Sequence, residues 1–95
     1  MSKESASITS PDNPLAGMSY QEQLEVVQED GYLLRYVQKQ TPELCLVAVR
    51  KDGNALQYVL EQTPEICLAA VQKDEHAIQY VWDDLINQVN QAMSA

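Results

Sequence analysis

Two consecutive segments of the chain are near copies of each other. TPELCLVAVRKDGNALQYVLEQ occupies residues 41–62, and TPEICLAAVQKDEHAIQYVWDD occupies residues 63–84 with 13 identities in 22 positions. A third and weaker copy, SYQEQLEVVQEDGYLLRYVQKQ, fills residues 19–40. Because short repeats form a core only by packing against neighbouring copies, this period constrains the fold more than any other feature of the sequence.

Each copy carries signals for the start and the end of a helix. Thr41 is a favourable N-cap residue and Pro42 follows at the first helical position, where proline is tolerated best; Thr63–Pro64 repeats this pattern. About ten residues into the helix, Gly31 and Gly53 are expected to end it in the left-handed conformation that favours glycine. The first element of each repeat is therefore predicted to be a short α-helix.

A second, shorter helix is predicted after each turn, over residues 54–62 in the middle copy. The next Thr-Pro pair ends it, since the residue before a proline is disfavoured in the helical conformation. At about 100° per residue, one apolar arc of this helix contains Ala55, Leu56, Val59 and Leu60. Neither helix of the repeat is long enough to be stable alone, so stacked copies must bury these arcs.

The fold predicted from these signals is all-α: a short, solenoid-like stack of three α-hairpin repeats with an extended C-terminal helix. The last helix is expected to run on from Ala77 without a break and to cover the open end of the stack. Residues 1–18 are predicted to be a disordered tail, and residues 19–95 a single domain. That domain comprises repeats 19–40, 41–62 and 63–84 and a C-terminal helix extension at 85–93.

The composition excludes several classes of partner. Fourteen acidic residues against six basic ones give a net charge of -8 over 95 residues, which argues against direct binding to nucleic acid. It favours a basic or nucleic-acid-binding protein as partner. No apolar run approaches the roughly 20 residues of a membrane span, and the polar start lacks the pattern of a signal peptide. A cytoplasmic protein without membrane contact is predicted.

Three residues of the repeats could carry chemistry. Cys45 and Cys67 occupy equivalent positions in the middle of the apolar arc of the first helix. Burial between helices, with both thiols free, fits this position better than catalysis or metal binding, because a reactive thiol needs exposure and a basic neighbour. His76 follows the third turn, where exposure is expected. We therefore predict no enzyme, no cofactor and no metal site.

An acidic end is the candidate binding site. Asp74, Glu75, Asp83 and Asp84 lie in the third copy, and Trp82 lies beside the last two. These carboxylates either form a solvated surface that keeps the protein soluble or face a basic partner. Trp82 is either covered by the extended terminal helix or anchors a partner, and the equivalent positions hold Gln and Leu in the other copies.

The order of cap, cysteine, Ala-Val, Gly and Tyr-Val resembles a repeat of bacterial, phage and giant-virus proteins that form a family of unknown function. The likeness covers about two-thirds of the chain and implies an α-helical repeat fold, with no catalytic motif. Glu75 departs from the pattern, because it replaces the turn glycine. The third turn is therefore expected to differ from the other two.

Three functions fit these features. The first is a non-catalytic protein-interaction module whose surface, not a pocket, binds the partner. The second is a phage-type inhibitor that occupies the basic groove of a bacterial nucleic-acid-handling defence enzyme. The third is a structural protein that forms a homodimer through its C-terminal helix, since two-fold dimers are the commonest homo-oligomers.

Overall fold

The computed structural model of the protein describes residues 13–94 and consists of alternating α- and 3-10 helices. That part of the chain contains no strand, so the predicted all-α stack of three repeats is confirmed. None of its helices is long and apolar enough to cross a membrane. The α-helices are α1 (Tyr20–Glu29), α2 (Pro42–Lys51), α3 (Pro64–Lys73) and α4 (Asp83–Ser94). The 3-10 helices are η1 (Gly31–Tyr36), η2 (Gly53–Tyr58) and η3 (Glu75–Tyr80).

The predicted helix starts are confirmed. The Thr41 side chain accepts a hydrogen bond from the backbone N–H of Leu44 at 3.1 Å, and Thr63 accepts one from Ile66 at 3.2 Å. Ser19 caps α1 in the same way, within a reciprocal capping box. A proline occupies the first position of α2 and of α3, where its missing N–H costs no hydrogen bond.

The second helix of each repeat is a 3-10 helix of six residues, shorter and tighter than the predicted α-helix at 54–62. The Asp52 side chain accepts from the Asn54 N–H at 3.0 Å, which sets a tight turn at the start of η2. The Val59 N–H then donates to the Leu56 carbonyl at 3.1 Å, a bond across three residues. Short segments favour this geometry. The chain bends after Val59, so each repeat is an α-helix followed by one compact 3-10 segment.

Gly31 and Gly53 are needed for packing between repeats and not for a left-handed turn, so that part of the prediction is wrong. Within residues 13–94 the glycine with positive φ is Gly17, at 83°. A Cβ atom on Gly31 would lie 2.5 Å from the Ala48 carbonyl oxygen in the next repeat, and one on Gly53 would lie 2.3 Å from that of Ala70. The helices η1 and η2 therefore start against the backbone of the following α-helix.

This packing explains the glutamate in the third copy. The helix η1 packs on α2 and η2 packs on α3, but η3 makes no comparable contact with α4. Glu75 is exposed, and η3 has the same six-residue length as the other two. The third turn thus keeps the geometry of the others, contrary to expectation. Glycine is needed only where an α-helix of the next repeat packs against the start of the 3-10 helix, and no helix packs there in the third repeat.

Residues 85–93 are helical as predicted, but they belong to a separate helix, so the prediction that the helix runs unbroken from Ala77 is wrong. The helix η3 ends at Tyr80, and α4 begins at Asp83. The break occurs because the Trp82 N–H donates to the Gln62 side chain at 2.9 Å, which takes it out of the helical ladder. The helix α4 packs on α3 and buries Val89, at the position that cysteine occupies in earlier copies. It therefore covers the last repeat as predicted.

The opposite end of the stack is covered by residues 13–18, which were predicted to belong to the tail. Leu15 is buried, and the Asn13 side-chain amide donates to the Tyr36 carbonyl at 3.1 Å. The Leu15 N–H donates to the Asn13 side-chain oxygen at 2.8 Å. The tail therefore does not extend to residue 18; its remainder, residues 1–12, lies outside the described residues.

A glutamine joins the first repeat to the second. The Gln40 amide group donates to the Tyr58 carbonyl at 2.9 Å, and its oxygen accepts from the Leu60 N–H, also at 2.9 Å. The same amide group reaches the carbonyls of Leu34 and Val37 in its own repeat. One side chain thus satisfies backbone groups on both sides of the boundary between repeats.

Gln62 makes the equivalent bridge between the second and third repeats. Its amide group donates to the Tyr80 carbonyl at 2.8 Å, its oxygen accepts from Trp82, and only 8% of its surface is exposed. The third copy has Asp84 at this position, exposed in the first turn of α4. The bridge is therefore a feature of the two internal boundaries.

We expect the Gly53→Ala variant to lose about 1–3 kcal/mol of unfolding free energy, because its new methyl group overlaps a backbone carbonyl that has no free space to move into. Glu75→Ala is the matched control at the equivalent position and should stay within about 0.5 kcal/mol of the wild type. Urea denaturation followed by circular dichroism measures both. Equal stability of the two variants would contradict the role assigned to the glycine.

We expect Gln62→Ala to lower the unfolding free energy by about 2–6 kcal/mol, since two backbone groups lose their partner at roughly 1–3 kcal/mol each. Asp84→Ala changes the equivalent, exposed residue and should cost less than about 1 kcal/mol. The same denaturation experiment applies. A small effect of Gln62→Ala would mean that water replaces the bridge.

Candidate functional site

The three segments that connect each 3-10 helix to the next α-helix lie side by side. We call these connections (37–41, 59–63 and 81–82), together with the first turns of α2, α3 and α4, the linker edge. The Gln40 side chain spans from the first connection to the second, and the Gln62 side chain spans from the second to the third. These bridges fix the order and the spacing of the connections along the edge.

A groove of about 390 Å³ runs between the first and second connections. Residues 38–42 line one side and Leu60 and Glu61 the other, over the buried side chains of Cys45 and Ile66. The groove is open to solvent and contains both polar and apolar atoms. It can receive a side chain from a partner.

Two large apolar side chains protrude from the linker edge. Leu60 is 63% exposed and Trp82 is 43% exposed, and they occupy equivalent positions in the second and third repeats. The first repeat has Gln38 there, also exposed. The fold therefore accepts a polar residue at this position. The interpretation that the terminal helix covers Trp82 is wrong, because α4 starts directly after it and turns back onto α3.

The predicted acidic end is divided into two groups. Asp74 and Glu75 lie at the start of η3, whereas Trp82, Asp83 and Asp84 follow its end. A 3-10 helix of six residues spans about 12 Å at roughly 2 Å per residue. The three residues after η3 belong to the linker edge, and the two before it belong to the opposite edge of the stack.

Asp74 has a structural role. Its carboxylate accepts hydrogen bonds from the backbone N–H of His76 at 3.0 Å and from the Asn54 side chain at 3.1 Å. The hydrogen bond from the backbone of His76, aided by contacts with its ring and with Asn54, lowers the pKa of this carboxyl below its usual value. Asp74 therefore caps η3 and links the second and third repeats.

Both cysteines are buried and free, at the positions predicted from the apolar arc. The Cys45 thiol donates to the side-chain oxygen of Gln40 at 3.4 Å, and Cys67 donates to that of Gln62 at 3.2 Å. Burial raises the pKa of each thiol to about 11, and the charge of Asp84 adds to the effect at Cys67. Both are therefore protonated at neutral pH.

The other candidate groups do not form a chemical site. The His76 side chain is 79% exposed and contacts Asp74, with the ring Nδ1 3.2 Å from its carboxylate, so it is not brought to Cys67. Within the described range, 13–94, no cluster of three or more His, Cys, Asp or Glu residues could hold a metal ion.

Sequence reasoning missed two features of this surface. Leu60 was placed in the buried arc with Ala55, Leu56 and Val59, but it lies beyond the end of η2, where the chain bends and the helical phase no longer applies. The glutamine bridges were also missed. Their one signal in the sequence is glutamine at the last position of the first two copies.

Comparison of the chain with protein-family models, with curated proteins and with solved structures gives no significant match. The resemblance of the repeat to the helical-repeat family therefore stays a prediction. A function can therefore be proposed only from the exposed residues and the groove of this protein.

We expect both thiols to react slowly with a maleimide at pH 8 in the native protein. A pKa of about 11 in place of 9.0 lowers the thiolate fraction about a hundredfold, and burial adds steric protection. Because the folded state keeps the thiols neutral, the unfolding free energy should fall as the pH rises from 9 towards 11.

Mass spectrometry with and without urea measures this labelling. Cys45→Ala isolates the Cys67 thiol and shows whether the two sites are protected equally. Rapid labelling of both thiols in the native protein would contradict the buried positions.

Proposed function

We propose that this protein is a non-catalytic interaction module that binds another protein through its linker edge. The observation that carries the proposal is the exposure of Leu60 and Trp82 at equivalent positions of adjacent repeats. Single exposed apolar residues are normal on protein surfaces. Two at equivalent positions of adjacent repeats, one of which lines a groove, form a repeated apolar feature of the kind found at binding sites.

The choice of residues supports the same function. Gln38 at the equivalent position indicates that stability does not require an apolar side chain there. Tryptophan is enriched among the residues that contribute most to binding energy at protein interfaces. A role in binding therefore explains the apolar side chains at positions 60 and 82 better than a role in folding does.

The exposed carboxylates favour a basic partner. Glu61, Asp83 and Asp84 lie next to the two apolar side chains. A narrower form of the proposal is the inhibitor, in which these carboxylates replace phosphates in the groove of a nucleic-acid-handling enzyme. Such binding would weaken as salt rises, because exposed charges are screened.

Self-association through α4 has less support. Val89, one of the apolar residues on which it would depend, is buried against the preceding repeat, and Leu85 and Ile86 are half-buried. Met93 remains exposed near the end of the helix. Met93 and Trp82, which precedes the helix, are a small apolar surface for a stable dimer, which buries roughly 800 Å² on each partner.

We expect affinity capture from cells of the source organism to recover a protein partner with the wild type and to lose it with Leu60→Gln/Trp82→Gln. Glutamine is already present at this position of the first repeat, so the variant should fold. Loss of two central apolar contacts should weaken binding by at least about 30-fold, which corresponds to roughly 2 kcal/mol.

The control variant is Lys51→Gln/Lys73→Gln, whose changes lie in the last turns of α2 and α3, at the opposite edge. It should retain the partner. Equal recovery with the Leu60/Trp82 variant, or failure of the wild type to recover any protein, would overturn the proposal.

A further inference from the structure

We propose that the element bound at the linker edge is a basic amphipathic α-helix of the partner, an inference that rests on the proposed function and specifies its ligand. Leu60 and Trp82 would contact two apolar residues on one face of that helix. The carboxylates around them would pair with Lys and Arg residues at the margins of the same face.

The spacing of the two apolar side chains can be matched by an α-helix. Leu60 and Trp82 are one repeat apart, and neighbouring packed helices lie about 8–10 Å from each other. Residues i and i+7 of an α-helix share a face and are about 10.5 Å apart, at roughly 1.5 Å per residue. Same-face residues of a strand are spaced by roughly 7 or 13 Å, so the two peptide isomers described below distinguish the helix from an extended segment.

The groove provides a binding site for further side chains of the helix, next to Leu60. It lies between residues 38–42 and Leu60, so a side chain that precedes or follows the Leu60 contact can enter it. Amphipathic helices bind proteins in this way, with anchors at i, i+3 or i+4 and i+7 in an apolar groove. Leu60 lines the groove and Trp82 occupies the equivalent position of the next repeat, so both belong to the row of equivalent positions along the linker edge.

The charge along this row selects a basic partner. The described residues of the linker edge contain five exposed carboxylates and one ammonium group: Glu43, Glu61, Glu65, Asp83 and Asp84 against Lys39. At the other edge, the basic residues in the last turns of α2 and α3 lie beside acidic residues at the starts of η2 and η3: Arg50, Lys51 and Lys73 beside Asp52, Asp74 and Glu75. The linker edge is therefore negative, and a facing helix with Lys and Arg would be attracted to it.

The same charges exclude a second copy of this chain as the main occupant. Two linker edges placed face to face would bring carboxylates together in a protein whose net charge is already -8. Like charges at close range oppose association. The apolar surface therefore needs a partner of opposite charge.

Trp82 provides a direct measurement, because it is the single tryptophan of the chain and is 43% exposed. Contact with an apolar helix face should shift its emission to shorter wavelength. The probe is a synthetic peptide of about 18 residues built from Leu and Lys, long enough to form a helix on binding, with Leu at positions i, i+3 or i+4 and i+7. An isomer of the same composition with Leu and Lys alternating has the same charge but no apolar helix face.

We expect the amphipathic peptide to shift the emission and to bind at least about tenfold more tightly than the alternating isomer, by roughly 1.4 kcal/mol. Leu60→Gln, which keeps the tryptophan, should weaken binding of the amphipathic peptide by a similar factor. Glu61→Gln/Asp83→Asn should reduce the affinity more than Glu25→Gln/Glu29→Gln, which removes the same charge from exposed positions of α1. Raising the salt concentration should reduce it as well.

Three results would overturn the inference: no emission shift with the amphipathic peptide, equal affinity for the two isomers, or equal effects of the two charge variants. The proposed function is tested separately by the capture experiment. A captured partner that depends on Leu60 and Trp82, together with failure of the peptide, would keep the interaction module and remove the helical ligand.

Discussion

The glutamine bridges between repeats are the interaction on which the rest of the structure depends. Each 3-10 helix ends where the chain leaves helical geometry, and the backbone groups there lack intrahelical partners. Gln40 and Gln62 supply both a donor and an acceptor to this point in the following repeat. The same side chains accept the thiol hydrogens of the buried cysteines. One residue per boundary therefore fixes the position of the connection, the packing of the α-helix and the direction of the exposed side chains.

That geometry explains why exposed apolar side chains lie along the connections. Residues directly after the bridge point have fixed backbone positions but project outside the core, as Leu60 and Trp82 do. Side chains held on a rigid backbone lose little conformational freedom when a partner binds. A stack of short repeats thus presents a row of equivalent positions at regular spacing, and each copy can change its residue there independently.

Local signals in the sequence predicted much of the fold. The Thr-Pro caps, the burial of Cys45 and Cys67 and the stacking of three copies all depend on residues close together in the chain or on the repeat itself. Two of the errors, the glycine turn and the unbroken terminal helix, have one cause, which is contacts between repeats. Gly53 was assigned to its own turn because its neighbour, the Ala70 carbonyl, is 17 positions away in the sequence. The break before α4 depends on Gln62 in the same way.

The candidate site was predicted less well than the fold. The apolar arc was extended through Leu60 because a 3-10 and an α-helical period cannot be distinguished over six residues, and the end of the helix decides whether the last leucine is buried. The acidic residues were treated as one group because they are close in the sequence. The length of η3 separates Asp74 and Glu75 from Asp83 and Asp84, and the Asp74 carboxylate is already engaged as the cap of η3.

The glutamate in place of the third glycine has a consequence for assembly. A helix can dock on the start of a 3-10 segment only where the Cβ atom is missing, because its carbonyl oxygen comes within 2.5 Å of that point. Glu75 therefore occupies a boundary from which this contact is absent, because α4 packs on α3 and leaves the residue at the start of η3 exposed. The last boundary of the stack rests on the contact between α3 and α4, and a charged side chain at residue 75 costs nothing in packing.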